Sequence, residues 1–332
     1  MLKLTPLELQ NYTPNMILEQ GQLPNTLVLI DHLKGFDIHG HNEVLDDVDR
    51  QAREAGVCLR TVTNYIPDED LVVRYPNLRL AHHLNGYTWD PIKNYGQHPE
   101  VRFENFICNF NGTNYISREL LVAALHKFGW FNPEYCSKNF TSNQDTLDDY
   151  IQQYTGNDAI IYRKFFIGED SQKFFGSIIN HGRNMELKYQ HGENIQNLDS
   201  KITRSFVNVI SETLGESYYP FYTEKLIFSL ATRGLFVAMA QPGWHRHLEK
   251  YFGFKKYKIF DYRFDDIANP VERAVELISM LYKFSNLSTS DWQDLYLMEL
   301  DTIEFNYHHF MSGNYRKCLR EHCTVLLDND LK

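Results

Sequence analysis

The stretch Phe206–Pro242, FVNVISETLGESYYPFYTEKLIFSLATRGLFVAMAQP, reads in turn as strand, loop, helix and strand, and it decides the fold class. The β-branched and aromatic run Phe206–Ile210 is expected to be a buried strand. Thr223 is placed to cap a helix that begins with Glu224 and Lys225. Gly234 is expected to end that helix, Leu235–Ala240 to form a second strand, and Gln241-Pro242-Gly243 to turn the chain away. Such a unit is normally parallel and right-handed. Its helix then starts at the carboxyl edge of the sheet, where open α/β proteins bind ligands. A helix N-terminus carrying Lys225 suits a phosphate.

Working outward, Thr26–Ile30 is a short apolar run ending at Asp31, Asn42–Ala55 has an amphipathic helical pattern, and Val57–Thr63 and Leu78–Ala81 read as strands. Phe103–Phe110 is a further strand, followed by a helix over Ser117–Phe128 that Gly129 stops. Beyond the central stretch, Trp244–Phe252 reads as a helix and Tyr257–Phe260 as a strand. Pro270–Phe284 is a helix with proline at its first position, and Ser288–Phe310 one long aromatic helix that packs back across the first domain. The pattern predicts an N-terminal α/β domain over residues 1–155, a C-terminal α/β domain over 156–310 and a tail over 311–332. No repeat at solenoid spacing is present.

The chain has 332 residues, of which 43% are hydrophobic, enough for two cores. A formal net charge of −10 weighs against wide nonspecific binding to nucleic acid or anionic membrane. The five cysteines form an odd set with no C-x-x-C pair, which points to free thiols in a reducing compartment rather than to a zinc site or a disulfide framework. The first residues lack a long apolar core and no segment has the apolar length of a membrane span, so a cytoplasmic location is expected.

Glu212, an aromatic glycine-containing loop and Tyr222-Thr223-Glu224-Lys225 together resemble the donor-binding signature of the α-1,3-fucosyltransferases, whose usual form is F-E-N, a short loop and Y-V-T-E-K. Phe106–Gly129, FICNFNGTNYISRELLVAALHKFG, is similar to that family's strand, Asn-containing loop, Arg and helix. The resemblance implies a GT-B architecture, two Rossmann-like domains facing a cleft. It also implies an inverting, metal-independent glycosyltransferase that moves a sugar from a nucleotide-diphosphate donor to a hydroxyl acceptor such as a glycan. GDP-fucose is the donor by resemblance only, because Ser211-Glu212-Thr213 stands where the family has Phe-Glu-Asn, which leaves sugar and base open. Two rival readings are a transferase acting on a modified DNA base or a protein, and a noncatalytic GT-B-like binding protein.

Within the resemblance, Arg118 and Lys225 would clamp the donor diphosphate, each at the carboxyl edge of its own sheet and facing the other across the cleft. The competing readings are an Arg118 ion pair with Glu119 or a neighbour and a solvated Lys225. Glu224 would contact the donor or support the charged transition state, or else simply complement the helix dipole. Glu212 would accept hydrogen bonds from the donor or from loop backbone. Phe221 would lie beside the nucleotide or act as a hydrophobic staple. Asn114 would orient the loop that holds Arg118, or be a turn residue. No general base stands out among His83, Asp90 and Asp31, with His82 and Glu43 as further alternatives. His39, His41, His308 and His309 lack a converging third ligand, so no essential metal is expected.

Overall fold

The computed structural model describes residues 16–20, 26–31, 50, 58–63, 79–82, 102–179, 201–212, 220 and 222–323. The chain divides into two units, one made of Met1–Trp89, Ser217–Pro220 and Arg316–Lys332, the other of Asp90–Glu216 and Phe221–Tyr315. In the first unit, β1 (Met16–Gln20) pairs antiparallel with β2 (Thr26–Asp31). From there the sheet runs parallel through β3 (Cys58–Thr63) and β4 (Arg79–His82), in the order β1-β2-β3-β4. The expected strands near 26, 57 and 78 are all present. The sheet is mixed rather than wholly parallel, because the short separation between Gln20 and Thr26 allows a hairpin and forbids a crossover. The helix expected over Asn42–Ala55 lies outside the described residues except for helical Arg50.

The second unit starts with β5 (Asn105–Asn111), α1 (Ile116–Lys127) and β6 (Cys136–Lys138). Helices α2 (Gln144–Thr155), α3 (Ala159–Phe166) and α4 (Ser171–Phe175) precede β7 (Ser205–Ser211), α5 (Glu224–Ala231) and β8 (Phe236–Met239). Then come α6 (Trp244–Phe252), α7 (Pro270–Ser285), α8 (Thr289–Met298) and α9 (Leu300–Met311), and α10 (Asn314–Cys323) begins in the same unit. Its four strands are parallel, in the order β6-β5-β7-β8.

The domain boundary expected near residue 155 falls instead at the end of α2, inside this unit. The reason is the direct pairing of β5 with β7, Ile107 against Val207, which puts the two motif-bearing segments into one sheet. Residues of β5 alternate between two different surroundings. Phe106, Cys108 and Phe110 share a face with Phe206. There Phe106 and Phe206 stack on Trp292 of α8 at 5.5 and 5.7 Å, while Cys108 and Phe110 pack with Phe228 of α5. Ile107, Asn109 and Asn111 point to the other face.

Local chemistry explains where helices begin and end. The Thr223 hydroxyl accepts the Lys225 N–H at 3.4 Å, as the cap position predicts, and Asn269 caps α7 by accepting from Val271 and Glu272 ahead of Pro270. Gly129, at φ 72°, stops α1 as expected. The end of α5 differs, because the left-handed position is taken by Arg233 (φ 57°) and not by Gly234. Gly234 is required for space, since a Cβ there would stand 2.8 Å from Ile202 Cγ2. Gly234→Ala is therefore expected to destabilise the protein by about 1–3 kcal/mol, measured as a lower urea midpoint with unchanged slope.

Two other expectations are corrected. Tyr257–Phe260 is not a strand, because its N–H groups are taken by side chains: Tyr257 by the Tyr262 hydroxyl at 3.2 Å and Ile259 by Glu299 Oε1 at 2.8 Å. The helix expected over Ser288–Phe310 breaks at Glu299, whose backbone (φ −96°, ψ 3°) ends one helix and precedes the next while its buried carboxylate accepts the Ile259 N–H.

Candidate functional site

In the second unit the chain enters the sheet at β5, steps to β6 on one side, then returns to β7 on the other side and continues to β8. Right-handed crossovers in opposite directions put α1 and α5 on opposite faces of the sheet. Their packing agrees, since α1 lies against α2, α3, α4 and α7, and α5 against α9. The loops leaving the carboxyl ends of β5 and β7 therefore diverge, and this topological switch point is where ligands enter doubly wound sheets. Arg118, in the first turn of α1, and Lys225, in the first turn of α5, stand on its two sides. They belong to neighbouring strands of one sheet, which corrects the expectation of two opposed sheets.

Arg118 is buried and spans the divergence. Its Nε donates to Ser211 O at the end of β7 at 3.3 Å, one terminal nitrogen donates to Thr113 O at 3.1 Å, and the guanidinium lies 4.8 Å from the centre of the Tyr115 ring. These contacts hold its guanidinium at the switch point. Lys225 is nearly buried, and its ammonium lies 3.5 Å from Thr223 Oγ1, the same hydroxyl that caps its helix. Two cations and the partial positive charge of the α5 N-terminus meet at this point, beside the buried carboxylate of Glu212.

The remaining expected residues have more structural tasks. Glu212 is buried at the end of β7, and its Oε1 accepts the Thr223 N–H at 3.1 Å, so it ties the strand to the helix cap. Tyr222 points into the core, donating to Trp244 O at 3.0 Å between the rings of Trp244 and Phe252. Burial pushes its phenol well above the usual value, aided by Asp265 and Glu212. Asn114 is exposed and its amide reaches Thr141 O at 3.4 Å. Glu224 is the first residue of α5, and Asp31 ends β2 in the other unit. Phe221, His83, Asp90, His39, His41 and Glu43 lie outside the described residues. His309 is structural, its Nε2 donating to Phe252 O at 2.7 Å, and no group of three metal-ligating side chains occurs among the described residues.

The structure adds residues that motif reading passed over. On the α1 face, Asn109 donates to Val209 O at 2.5 Å and Ser211 Oγ at 2.9 Å, Asn111 donates to Asn109 Oδ1, and Ser137 Oγ accepts the Asn111 N–H at 3.2 Å. The signal is in the sequence: in NFICNFN, asparagines recur two apart on one face of an otherwise apolar strand. Lys138, opposite Asn111 in register, is fully buried, with Nζ donating to the carbonyls of Phe140, Ser177 and Phe175 at 2.6, 2.6 and 3.0 Å. Burial lowers its pKa to about 8 against the pull of Glu119. Burial raises the Glu119 carboxyl, while Asn114, Ser142 and Lys138 draw it down. His245 and Asp265 form a buried pair at 2.7 Å, but His245 Nε2 already accepts the Ala238 N–H at 3.1 Å and has no role left as a base.

No protein family, curated protein or solved structure compared with the chain matches it. Among the described residues, no helix is long and apolar enough to cross a membrane.

Proposed function

We propose that this protein is an inverting, metal-independent glycosyltransferase of the GT-B class that binds a nucleotide-diphosphate sugar, GDP-fucose by resemblance, at the switch point of its second unit. The observation that carries this reading is that Arg118 and Lys225 open the two helices on either side of that point. Breaking the bond between an anomeric carbon and a diphosphate builds negative charge on the leaving group, and two fixed cations with a helix N-terminus meet that charge without an ion. The acceptor, a glycan hydroxyl, needs a base to take its proton, and Asp31, His83 and Asp90 are the candidates.

A panel of GDP-, UDP- and TDP-sugars tests the reading by thermal shift, because a ligand that binds only the folded state raises its stability. One responding class is expected, and transfer should continue in EDTA. Lys225→Ala should lower turnover about a hundredfold, roughly 3 kcal/mol of transition-state stabilisation, while far-UV dichroism stays unchanged. Normal turnover in that variant would remove Lys225 from the mechanism. The structural use of Glu212 and Tyr222 favours a second reading, a noncatalytic nucleotide-binding protein. Ligand-induced stabilisation without transfer to any acceptor glycan would select it.

A further inference from the structure

Asn109 is fully buried in a central strand of the second sheet and is bonded on both sides. Its backbone N–H donates to Tyr135 O at 3.3 Å, just before β6. Its side-chain amide reaches the other way, to β7, donating to Val209 O at 2.5 Å and to Ser211 Oγ at 2.9 Å. The Asn111 amide donates to Asn109 Oδ1, which fixes the end of the Asn109 amide that faces β7. Registered pairing of β5 with β7 runs from Asn105 and Ser205 to Cys108 and Asn208, whereas that of β7 with β8 continues to Ser211 and Met239. Past Cys108 the carboxyl end of β7 is tied to the β5 side by side chains. Asn109 holds Val209 O and the Ser211 hydroxyl, and Arg118 Nε holds Ser211 O at 3.3 Å.

An apolar β-branched residue would fill such a strand position without burying an amide, as Ile107 does two residues earlier on the same face. A buried amide bonded through both its oxygen and its nitrogen fixes geometry instead, because a displaced neighbour leaves it unsatisfied. What Asn109 fixes is Ser211, and both cations depend on that strand end. The Ser211 carbonyl takes Arg118 directly. The next residue, Glu212, takes the N–H of Thr223, whose hydroxyl lies 3.5 Å from the Lys225 ammonium. Arg118 is one hydrogen bond from Ser211 and Lys225 several, so a shift of Ser211 acts chiefly on Arg118. We infer that Asn109 is a positioning residue, acting through Ser211 to place the Arg118 guanidinium for the phosphates of a ligand at the switch point; this rests on the phosphate site proposed above.

The test is binding of inorganic pyrophosphate to the full chain, by calorimetry and by the rise in melting temperature with pyrophosphate concentration, which extends to weak affinities. The proteins are wild type, Asn109→Ala, Ser211→Ala, Arg118→Ala, and each of the first two substitutions combined with Arg118→Ala. Asn109→Ala is expected to weaken pyrophosphate about tenfold and Ser211→Ala about threefold, since the latter keeps the bond from Asn109 to Val209 O. Neither should weaken it further once Arg118 is alanine and Lys225 alone remains, because two substitutions that act through one group are not additive. Lower melting temperatures with unchanged pyrophosphate affinity in both single variants would overturn the inference and leave Asn109 a tie between strands. An equal fold-loss with and without Arg118 would overturn it as well. If Asn109→Ala does not melt cooperatively, Ser211→Ala, which removes one oxygen, decides by the same comparison. Wild type that binds no pyrophosphate would remove the phosphate site itself, and the inference with it.

Discussion

Asp265→Ala is expected to destabilise the protein by about 3–5 kcal/mol, because one buried carboxylate satisfies three donors. Its Oδ1 accepts the His245 N–H at 3.0 Å and the His245 ring at 2.7 Å, and its Oδ2 accepts the Arg246 N–H at 3.0 Å. Two of these donors are the otherwise unpaired N–H groups at the start of α6, where Gly243 offers no capping side chain. Asp265→Asn keeps an acceptor at each position only in part and should cost about 1–2 kcal/mol. Burial alone would raise the Asp265 carboxyl, but the His245 ring and the two backbone N–H groups outweigh it and hold the pKa below the usual value. The depressed folded value sets the sign. This stabilisation is present above the unfolded carboxyl pKa of about 3.9 and is lost as pH falls through the lower folded value. Melting temperature against pH should show wild type and Asp265→Asn converging only below about pH 4. A constant difference down to the acid limit would argue against an ionised Asp265 carboxylate.

Lys138→Met should cost about 3–4 kcal/mol, the consequence of leaving three buried carbonyls without a donor. Methionine matches the length of the lysine stem and can lie against the Phe140 and Phe174 rings that flank the ammonium at 5.2 and 5.5 Å, so packing is nearly preserved. The pH dependence has the same sense as that of Asp265, at the alkaline rather than the acid end. The pKa of about 8 lies below the unfolded lysine value of about 10.4, so the unfolded chain binds more protons between those limits. Wild type should therefore gain stability relative to Lys138→Met as pH rises from 8 toward 10, with a constant difference below 8. Urea unfolding of both proteins across that range measures it, and a falling difference would mean that the folded pKa of the amine lies above its unfolded value.

Much of the second unit was legible because its signals are local. Thr223 before Glu224-Lys225, Pro270 after Asn269 and Gly129 after a helical run each act within one turn of backbone. The failures have long-range causes. The Tyr257–Phe260 strand was undone by Glu299, a residue forty positions from the N–H it satisfies, and the Ser288–Phe310 helix breaks at that same residue. The division at residue 155 failed because the pairing of β5 with β7 skips a region rich in helix, and no periodicity announces which strands will be neighbours. The same gap hid the relation of Arg118 to Lys225: each helix start was readable, but their membership in one sheet was not. Asn109 and Asn111 were visible as polar residues in an apolar strand, whereas buried Lys138 looked like any charged residue at a strand end.

The bridge from Arg118 to Ser211 joins residues 93 apart, and that from Asn109 to Val209 joins residues 100 apart. On the ribosome, where chains grow at about 5–20 residues per second, β5 must then wait about 5–20 s for its central neighbour to be made. Throughout that interval the asparagine amides face water or other chains and the binding site does not exist. A nascent chain released or cut before Ser211 therefore has a sticky, half-built sheet, and the step most exposed to misfolding in this protein is the same one that creates its site.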